Sequence, residues 1–268
     1  PGRAALFYVP LFFTQRAPAG AAVGPLVARA LSYIRHAHPP WNASGGSDHV
    51  WFVADAACEV PREVASASTL IGHAAPGSCL SPAKDVVVPT LTPAQIDFPR
   101  YLLSLQPALA RYNASVVGGG RQQRWLRRSA AADLATAADA TADLETLVST
   151  RFCLHAKANV SGSRLADSIA LGCIPLVEEG AALPYANIIS WKSAGVMLPP
   201  GAATDAAVEA ALAGVSADDE HARRAELARF GRGFIWWRPE GRAYEFTLAA
   251  IGERAAARGL SRLRGVHS

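Results

Sequence analysis

Residues 151 to 191 read RFCLHAKANVSGSRLADSIALGCIPLVEEGAALPYANIISW. The stretch orders itself as strand, small-residue loop, helix, strand and loop. Phe152-Cys153-Leu154 is a short apolar run, and Ala158 to Ser163 is a loop of small residues. From Arg164 to Leu171, Leu165, Ile169 and the Ala166/Ala170 pair recur at the spacing of one helix face. Gly172 stops that helix, and Cys173 to Val177 form a second buried strand. A Gly/Ser loop feeding a helix N-terminus favours an anion, because free backbone N–H groups and the helix dipole both point at it. Ser161, Gly162 and Ser163 are therefore candidate backbone contacts for a phosphate. Arg164, in the first turn, offers a fork of donors to a diphosphate. Asp167, one turn later on the same face, is placed to accept from ribose hydroxyls. The competing reading of Arg164 is a surface ion pair with Asp167 or Glu178.

The rest of the chain alternates in the same way. Leu6 to Phe13 reads as an apolar strand broken at Pro10, Val50 to Ala54 as a buried strand, Ser68 to Gly72 as a strand, and Val86 to Val88 as a short strand closed by Pro89. Val23 to His36 reads as a helix, with Val23, Leu26, Val27, Ala30, Leu31 and Ile34 on one face, and Pro61 to Ser68 as a short one. The segment 90–112 holds Pro93, Pro99 and Pro107 and has little periodicity, so it marks a crossing between two lobes, 1–112 and 113–268. Ala114 to Val117 is expected as a strand, and Arg121 to Arg128 and Asp133 to Val148 as helices. A weak strand at Gly195 to Leu198 follows. Helices are expected at Asp205 to Gly214, Asp218 to Phe230 and Ala243 to Ala257, the last apolar at Phe246, Leu248, Ala249 and Ile251. Short continuous apolar strands between helices predict α/β architecture with parallel sheets covered on both faces.

Composition narrows the class. The chain has 268 residues, 50% of them hydrophobic, enough for a buried core and two modest lobes. No apolar run approaches the roughly 20 residues that span a bilayer. The chain opens at Pro1 and its only methionine is Met197, so the expectation is a start that is missing or processed. The net charge is +4, and only Lys84, Lys157 and Lys192 among the basic residues are lysines. The densest basic cluster is Arg121, Arg124, Arg127 and Arg128, interleaved with Trp125 and Leu126. A solvated or phosphate-facing surface accounts for it better than nucleic acid does. There is no Gly-x-Ser-x-Gly elbow for a hydrolase, and no Gly-x-Gly-x-x-Gly after the first strand for a dehydrogenase.

Two signals point to a secretory setting. Asn42, Asn113 and Asn159 all stand in Asn-x-Ser sequons, three of only four asparagines, which makes them candidate glycosylation sites. The four cysteines, Cys58, Cys79, Cys153 and Cys173, show no CxxC and no metal-ligand pattern. Cys153 and Cys173 fall at the starts of consecutive strands of one βαβ unit, close enough to bridge if those strands are neighbours. Cys58 and Cys79 are a candidate second bridge closing the segment between them. Four buried thiols in a reduced protein is the alternative.

The same residues carry a family resemblance. FCL, a loop, R-x-x-D, GCIP, LP and a following Trp191 resemble the C-terminal half of the exostosin-type glycosyltransferases, the GT47 family. Ala5 to Pro10 (ALFYVP) is similar to the family's early strand. Pro40 to His49 (PWNASGGSDH) is similar to its P-W-N-R-S-G-G-x-D-H loop, and Lys84 to Pro89 (KDVVVP) to its KDVVIPP segment. Four motifs in order make the resemblance specific. It implies a GT-B fold of two Rossmann-like lobes facing a cleft. The nucleotide sugar would bind mainly to the second lobe, at the carboxyl ends of its strands, and the acceptor to the first. It also implies a Cys153–Cys173 disulfide and a Golgi-luminal enzyme anchored as a type II membrane protein. The expected reaction is inverting transfer from a nucleotide sugar, UDP by expectation, to a glycan or glycoprotein acceptor. A weakened subunit that binds nucleotide sugar or pairs with another glycosyltransferase is the alternative.

Such transfer needs a stabilised diphosphate, a base for the acceptor hydroxyl and an in-line oxocarbenium-like centre. Enzymes of this type use Arg or Lys and a helix N-terminus for the leaving group, so no metal cofactor is expected. The chain has no convincing Asp-x-Asp; Asp218-Asp219-Glu220 reads as N-terminal helix charge. Arg121, after Gly118 to Gly120, sits where family members carry an Arg at a strand end, a second diphosphate candidate. Asp48 and His49 close a Gly-rich loop and are the candidate bases. The competing reading has Asp48 capping its own loop and His49 packing beneath. Glu178 and Glu179 follow the GCIPLV strand and are candidates for donor-sugar contact. The chain departs from the family at His155 to Asn159, where P-x-G is usual, at Ala43, where a basic residue is usual, and at Glu178-Glu179, where Ser-Asp is usual. Asp167 is shorter than the usual Glu.

Overall fold

Short apolar runs flanked by helices build two separate sheets, each of four parallel strands among the described residues. The computed structural model describes residues 6–9, 23–54, 56–73, 79–90, 123–128, 147, 150–155, 163–202, 204–239 and 241–260, with backbone alone at 123–128, 163 and 164. The chain divides into two compact units. Unit 1 is Pro1–Val88 with Thr247–Ser268, and unit 2 is Pro89–Phe246.

In unit 1 the sheet order is β1 (Phe7–Val9), β2 (His49–Ala54), β3 (Thr69–Gly72) and β4 (Val86–Val87). Val50, Trp51 and Val53 in β2 and all of β3 are buried, as strands covered on both faces must be. Helix α1 (Val23–Ala37) buries Val23, Val27, Leu31 and Ile34, while Leu26 is exposed, so the buried stripe is narrower than the expected face. The Glu59 carboxylate accepts the first helical N–H, that of Val23, at 2.6 Å. Helix α2 (Pro39–Ser44) and helix α3 (Arg62–Ala67) complete this half.

In unit 2 the order is β5 (Gln123–Arg128), β6 (Thr150–His155), β7 (Ile174–Glu178) and β8 (Val196–Leu198). Helix α4 (Ser163–Ala170) connects β6 to β7, and α5 (Trp191–Ala194) connects β7 to β8. Helices α6 (Asp205–Ala213), α7 (Ala217–Phe230) and α8 (Ala243–Ala257) follow. Ser216 caps α7 in a capping box with Asp219, which accounts for the acidic run there as N-terminal charge. Helix α8 starts in unit 2 and ends in unit 1. There Arg254 donates to the carbonyls of Pro82, Ala83 and Asp85, and Arg258 to Thr69 Oγ1 and the Ala67 carbonyl.

Three readings change. Residues 123–128, expected as part of a helix, form β5, which runs in register with β6 from Gln123↔Thr150 to Arg128↔His155. Helix propensity is a weak prior, and an open sheet edge supplies the same backbone partners a helix would supply internally. Pro39–Ser44, read as loop, is one and a half turns of helix with Pro at its start and left-handed Gly45 (φ 60°) at its end. The α8 face turns away from the expected one: Ala243, Ala250 and Ala255 are buried and Leu248 is exposed. The expected elements at 114–117 and 133–146 lie outside the described residues, as do Asn113, Arg121, Asn159, Ser161 and Gly162.

Candidate functional site

The β6–α4–β7 unit is right where the sequence places it. Phe152, Cys153 and Leu154 fill β6, and all five residues of β7 are buried. The Cys153–Cys173 disulfide ties the middle of β6 to the residue before β7, with Cα atoms 5.9 Å apart. A second disulfide joins Cys58 and Cys79 in unit 1. At the end of α4, Gly172 (φ 69°) turns the chain, and the Cys173 N–H returns to the Ser168 carbonyl at 2.8 Å. A residue with a Cβ is strained there. Arg224 of α7 donates to the Gly172 carbonyl and locks this turn.

The parallel strands put the start of α4 at the carboxyl edge of the sheet, where such folds bind ligands. Ser163 and Arg164 form its first turn. From Leu165 to Ile169 the helix is buried, Asp167 included, so the second residue of the expected diphosphate–ribose pair is enclosed by protein. Glu178 ends β7 and is buried, its Oε2 accepting the Gly201 N–H at 3.3 Å. Glu179 is exposed, and its N–H goes to the Leu198 carbonyl at 2.8 Å. The two adjacent acids thus divide: Glu178 holds the turn after β8, and Glu179 meets solvent. His155, not singled out from the sequence as a site residue, ends β6 fully buried at the same edge, in register with Val177. Its one sequence signal was an ionisable group extending an apolar strand.

In unit 1 the PWNASGGSDH segment is a packed structural knot. Asp48 Oδ1 accepts from the Ser44 hydroxyl at 2.5 Å and lies 2.7 Å from His49 Nδ1. The His49 ring stacks on Phe7 at 5.1 Å and meets the edge of Trp41 at 4.8 Å. Its side chain is 3% exposed, against 18% for Asp48. A Cβ at Gly46 would lie 2.5 Å from the Trp41 ring, so the second glycine admits the indole. The Ser68 hydroxyl then takes the Gly46 carbonyl at 2.9 Å and accepts from Trp51 Nε1. This is the packing alternative for His49, and it leaves Asp48 as the more accessible of the two. Asn42 is exposed, with its side-chain amide donating to the Arg35 carbonyl at 3.1 Å.

The LP…W part of the pattern is also structural. Trp191 Nε1 donates to the Pro184 carbonyl at 2.9 Å, and its ring packs against Phe230 and Phe234. Tyr185, fully buried at φ 54°, donates from its hydroxyl to the Ala243 carbonyl at 3.1 Å.

The family model of the exostosin GT47 domain matches residues 1–211. No curated protein matches the chain. With most of its length matched, and with each half of the match built on parallel α/β units, the chain belongs to the exostosin GT47 family of glycosyltransferases.

Proposed function

We propose that the chain is an inverting glycosyltransferase that moves a sugar from a UDP donor to a glycan or glycoprotein acceptor, with its two units arranged as the lobes of a GT-B enzyme in the Golgi lumen. The observation that carries this is the β6–α4–β7 unit, with the α4 N-terminus and Arg164 at the carboxyl edge of an all-parallel sheet.

In this reading the donor diphosphate lies over the first turn of α4. The backbone N–H groups there and the Arg164 guanidinium take up the charge that develops as the sugar–phosphate bond breaks. The leaving group draws on these donors, with no metal invoked. Glu179, exposed at the end of β7, is placed to hydrogen-bond donor-sugar hydroxyls, while Glu178 fixes the turn behind it. The acceptor oxygen attacks the anomeric carbon from the face opposite the diphosphate, which inverts the centre. Asp48 takes the acceptor proton, and His49 orients its carboxylate.

The engagement of Asp48 with Ser44 and the burial of His49 favour one second reading: a weakened member that binds nucleotide sugar or serves an active partner. Calorimetric titration with UDP and GDP, on wild type and Arg164→Ala, tests the first reading. Expected is UDP binding that Arg164→Ala weakens at least tenfold. No binding of either nucleotide to wild type would sink the donor-site assignment.

A further inference from the structure

We propose that Asn42 carries an N-linked oligosaccharide, attached to the nascent chain before α2 folds, and that the folded PWNASGGSDH knot closes this sequon to later transfer. The proposal rests on the luminal placement in the glycosyltransferase reading. It turns on two side chains of one sequon, Asn42 and Ser44.

Asn42 is presented as an attachment point. It is exposed near the end of α2, beside the equally exposed Ala43. Gly45 is exposed too, and a Cβ there would meet nothing within 4 Å, so the surface next to the sequon is open. The Asn42 amide carries two hydrogens. One is donated to the Arg35 carbonyl, in the last turn of α1, at 3.1 Å. Transfer from a lipid-diphosphate-linked oligosaccharide replaces one hydrogen and keeps the other. Nδ2 bonds to the anomeric carbon and loses one proton. The bond from that carbon to the diphosphate oxygen breaks, and its electron pair leaves on the oxygen. The linked nitrogen still has an N–H for the Arg35 carbonyl, so a bulky surface glycan is compatible with an intact α2.

Ser44 sets the order of events. The sequon is defined by the hydroxyl at its third position, so the transferring enzyme must reach that group. In the folded chain it is engaged. The Ser44 hydroxyl lies 2.5 Å from Asp48 Oδ1 and 3.0 Å from the Pro40 carbonyl, and it accepts the Gly46 N–H at 3.1 Å. A hydroxyl has one hydrogen, and here the Asp48 carboxylate holds it. Asn42, Ala43 and Ser44 are also wound into α2 and cannot extend into another active site without unfolding it. Trp41, 2% exposed and packed against the His49 ring, holds that helix down. The serine is thus available to the transferase only in the nascent chain.

The test has two arms. In the first, the chain is secreted from a eukaryotic host behind a signal peptide. Glycans are released enzymatically in heavy-oxygen water, which marks a formerly glycosylated asparagine as labelled aspartate in the mass spectrum. Expected is a label at Asn42 that Ser44→Thr retains and that Asn42→Gln and Ser44→Ala abolish. In the second, unglycosylated protein folded in a bacterial periplasm is compared with a peptide of residues 38–49. Each receives purified oligosaccharyltransferase and its lipid-linked donor. The folded protein must first open the knot, so it should react at least about tenfold more slowly than the peptide. An unlabelled Asn42 in secreted protein with both disulfides formed overturns the site. Equal rates for folded protein and peptide overturn the order. The signal peptide imposes the compartment and no nucleotide is present, so failure here leaves the donor-site reading standing. Failure of UDP binding leaves the label at Asn42 to be read on its own.

Discussion

The carboxylate of Asp85 accepts the backbone N–H of Leu70 at 2.9 Å, joining the end of the KD pair to the neighbouring strand β3. Its other oxygen accepts the Ser81 N–H at 2.7 Å, and Lys84 donates to the first. Lys84 also donates to the Ser68 carbonyl. The KDVVVP stretch is therefore a fixture of the unit 1 core, where Asp85 is buried and accepts from Leu70 N–H, Ser81 N–H and Lys84.

Asp85→Ala should destabilise the protein by about 3 kcal/mol, because it strands two backbone donors and leaves the Lys84 ammonium without its carboxylate partner. Asp85→Asn keeps an acceptor and should lose less. Urea unfolding followed by circular dichroism measures both. Equal stability of Asp85→Ala and wild type would contradict the keystone role.

Trp191 should tolerate change poorly for two separable reasons. Trp191→Phe keeps most of the ring packing but loses the bond to Pro184, an expected cost of about 1 kcal/mol. Trp191→Ala also opens a cavity beside Phe230 and Phe234, raising the cost to about 3–5 kcal/mol. Denaturation midpoints of the two variants separate the terms.

Glu220 makes the stability of unit 2 acid-sensitive. Burial alone would raise its pKa, but hydrogen bonds from Arg151 and Arg224, with their charges, outweigh it and hold the group below its ordinary 4.5. A folded pKa below the unfolded one contributes stability that is fully present above that value and lost as pH falls through the folded pKa. Glu220→Gln should therefore melt lower than wild type at pH 7, and the gap should close as pH falls below 4.5. A gap that stays constant down to pH 3 would refute the linkage.

The Cys153–Cys173 bridge closes a separation of 20 residues, and the chain-entropy estimate for it is about 3 kcal/mol. The double variant Cys153→Ala/Cys173→Ala should lose about that much. Both sulfurs are fully buried, whereas Cys58 and Cys79 are exposed. Under a limiting dithiol reductant, alkylation and mass mapping should therefore label Cys58 and Cys79 first. Earlier labelling of Cys153 and Cys173 would reverse that order.

Much of the fold was legible because its causes are local. A short apolar run before and after a helix, as at Phe152 and Ile174, has few ways to bury itself except as parallel strands under helices. Gly172 announces the end of α4 by the φ it must adopt, and Ser216 with Asp219 announces the start of α7 by the bonds they exchange. The motif residues were visible too, but not what each one does. Asp48 and His49 read as candidate bases at a loop edge; what the sequence did not announce is that Phe7, far away in sequence, and Trp41 pack against the His49 ring.

The sequence by itself therefore determined the α/β class, the β6–α4–β7 unit and the family pattern, since these follow from periodicity, glycine placement and short-range hydrogen bonding. Only the tertiary structure decided that 123–128 pairs as a strand, that Glu178 turns inward while Glu179 stays in solvent, and that Trp191 bonds back to Pro184. Each of those outcomes depends on a partner that folding brings close, and no local preference of the residue outweighs the burial and backbone bonding that partner supplies.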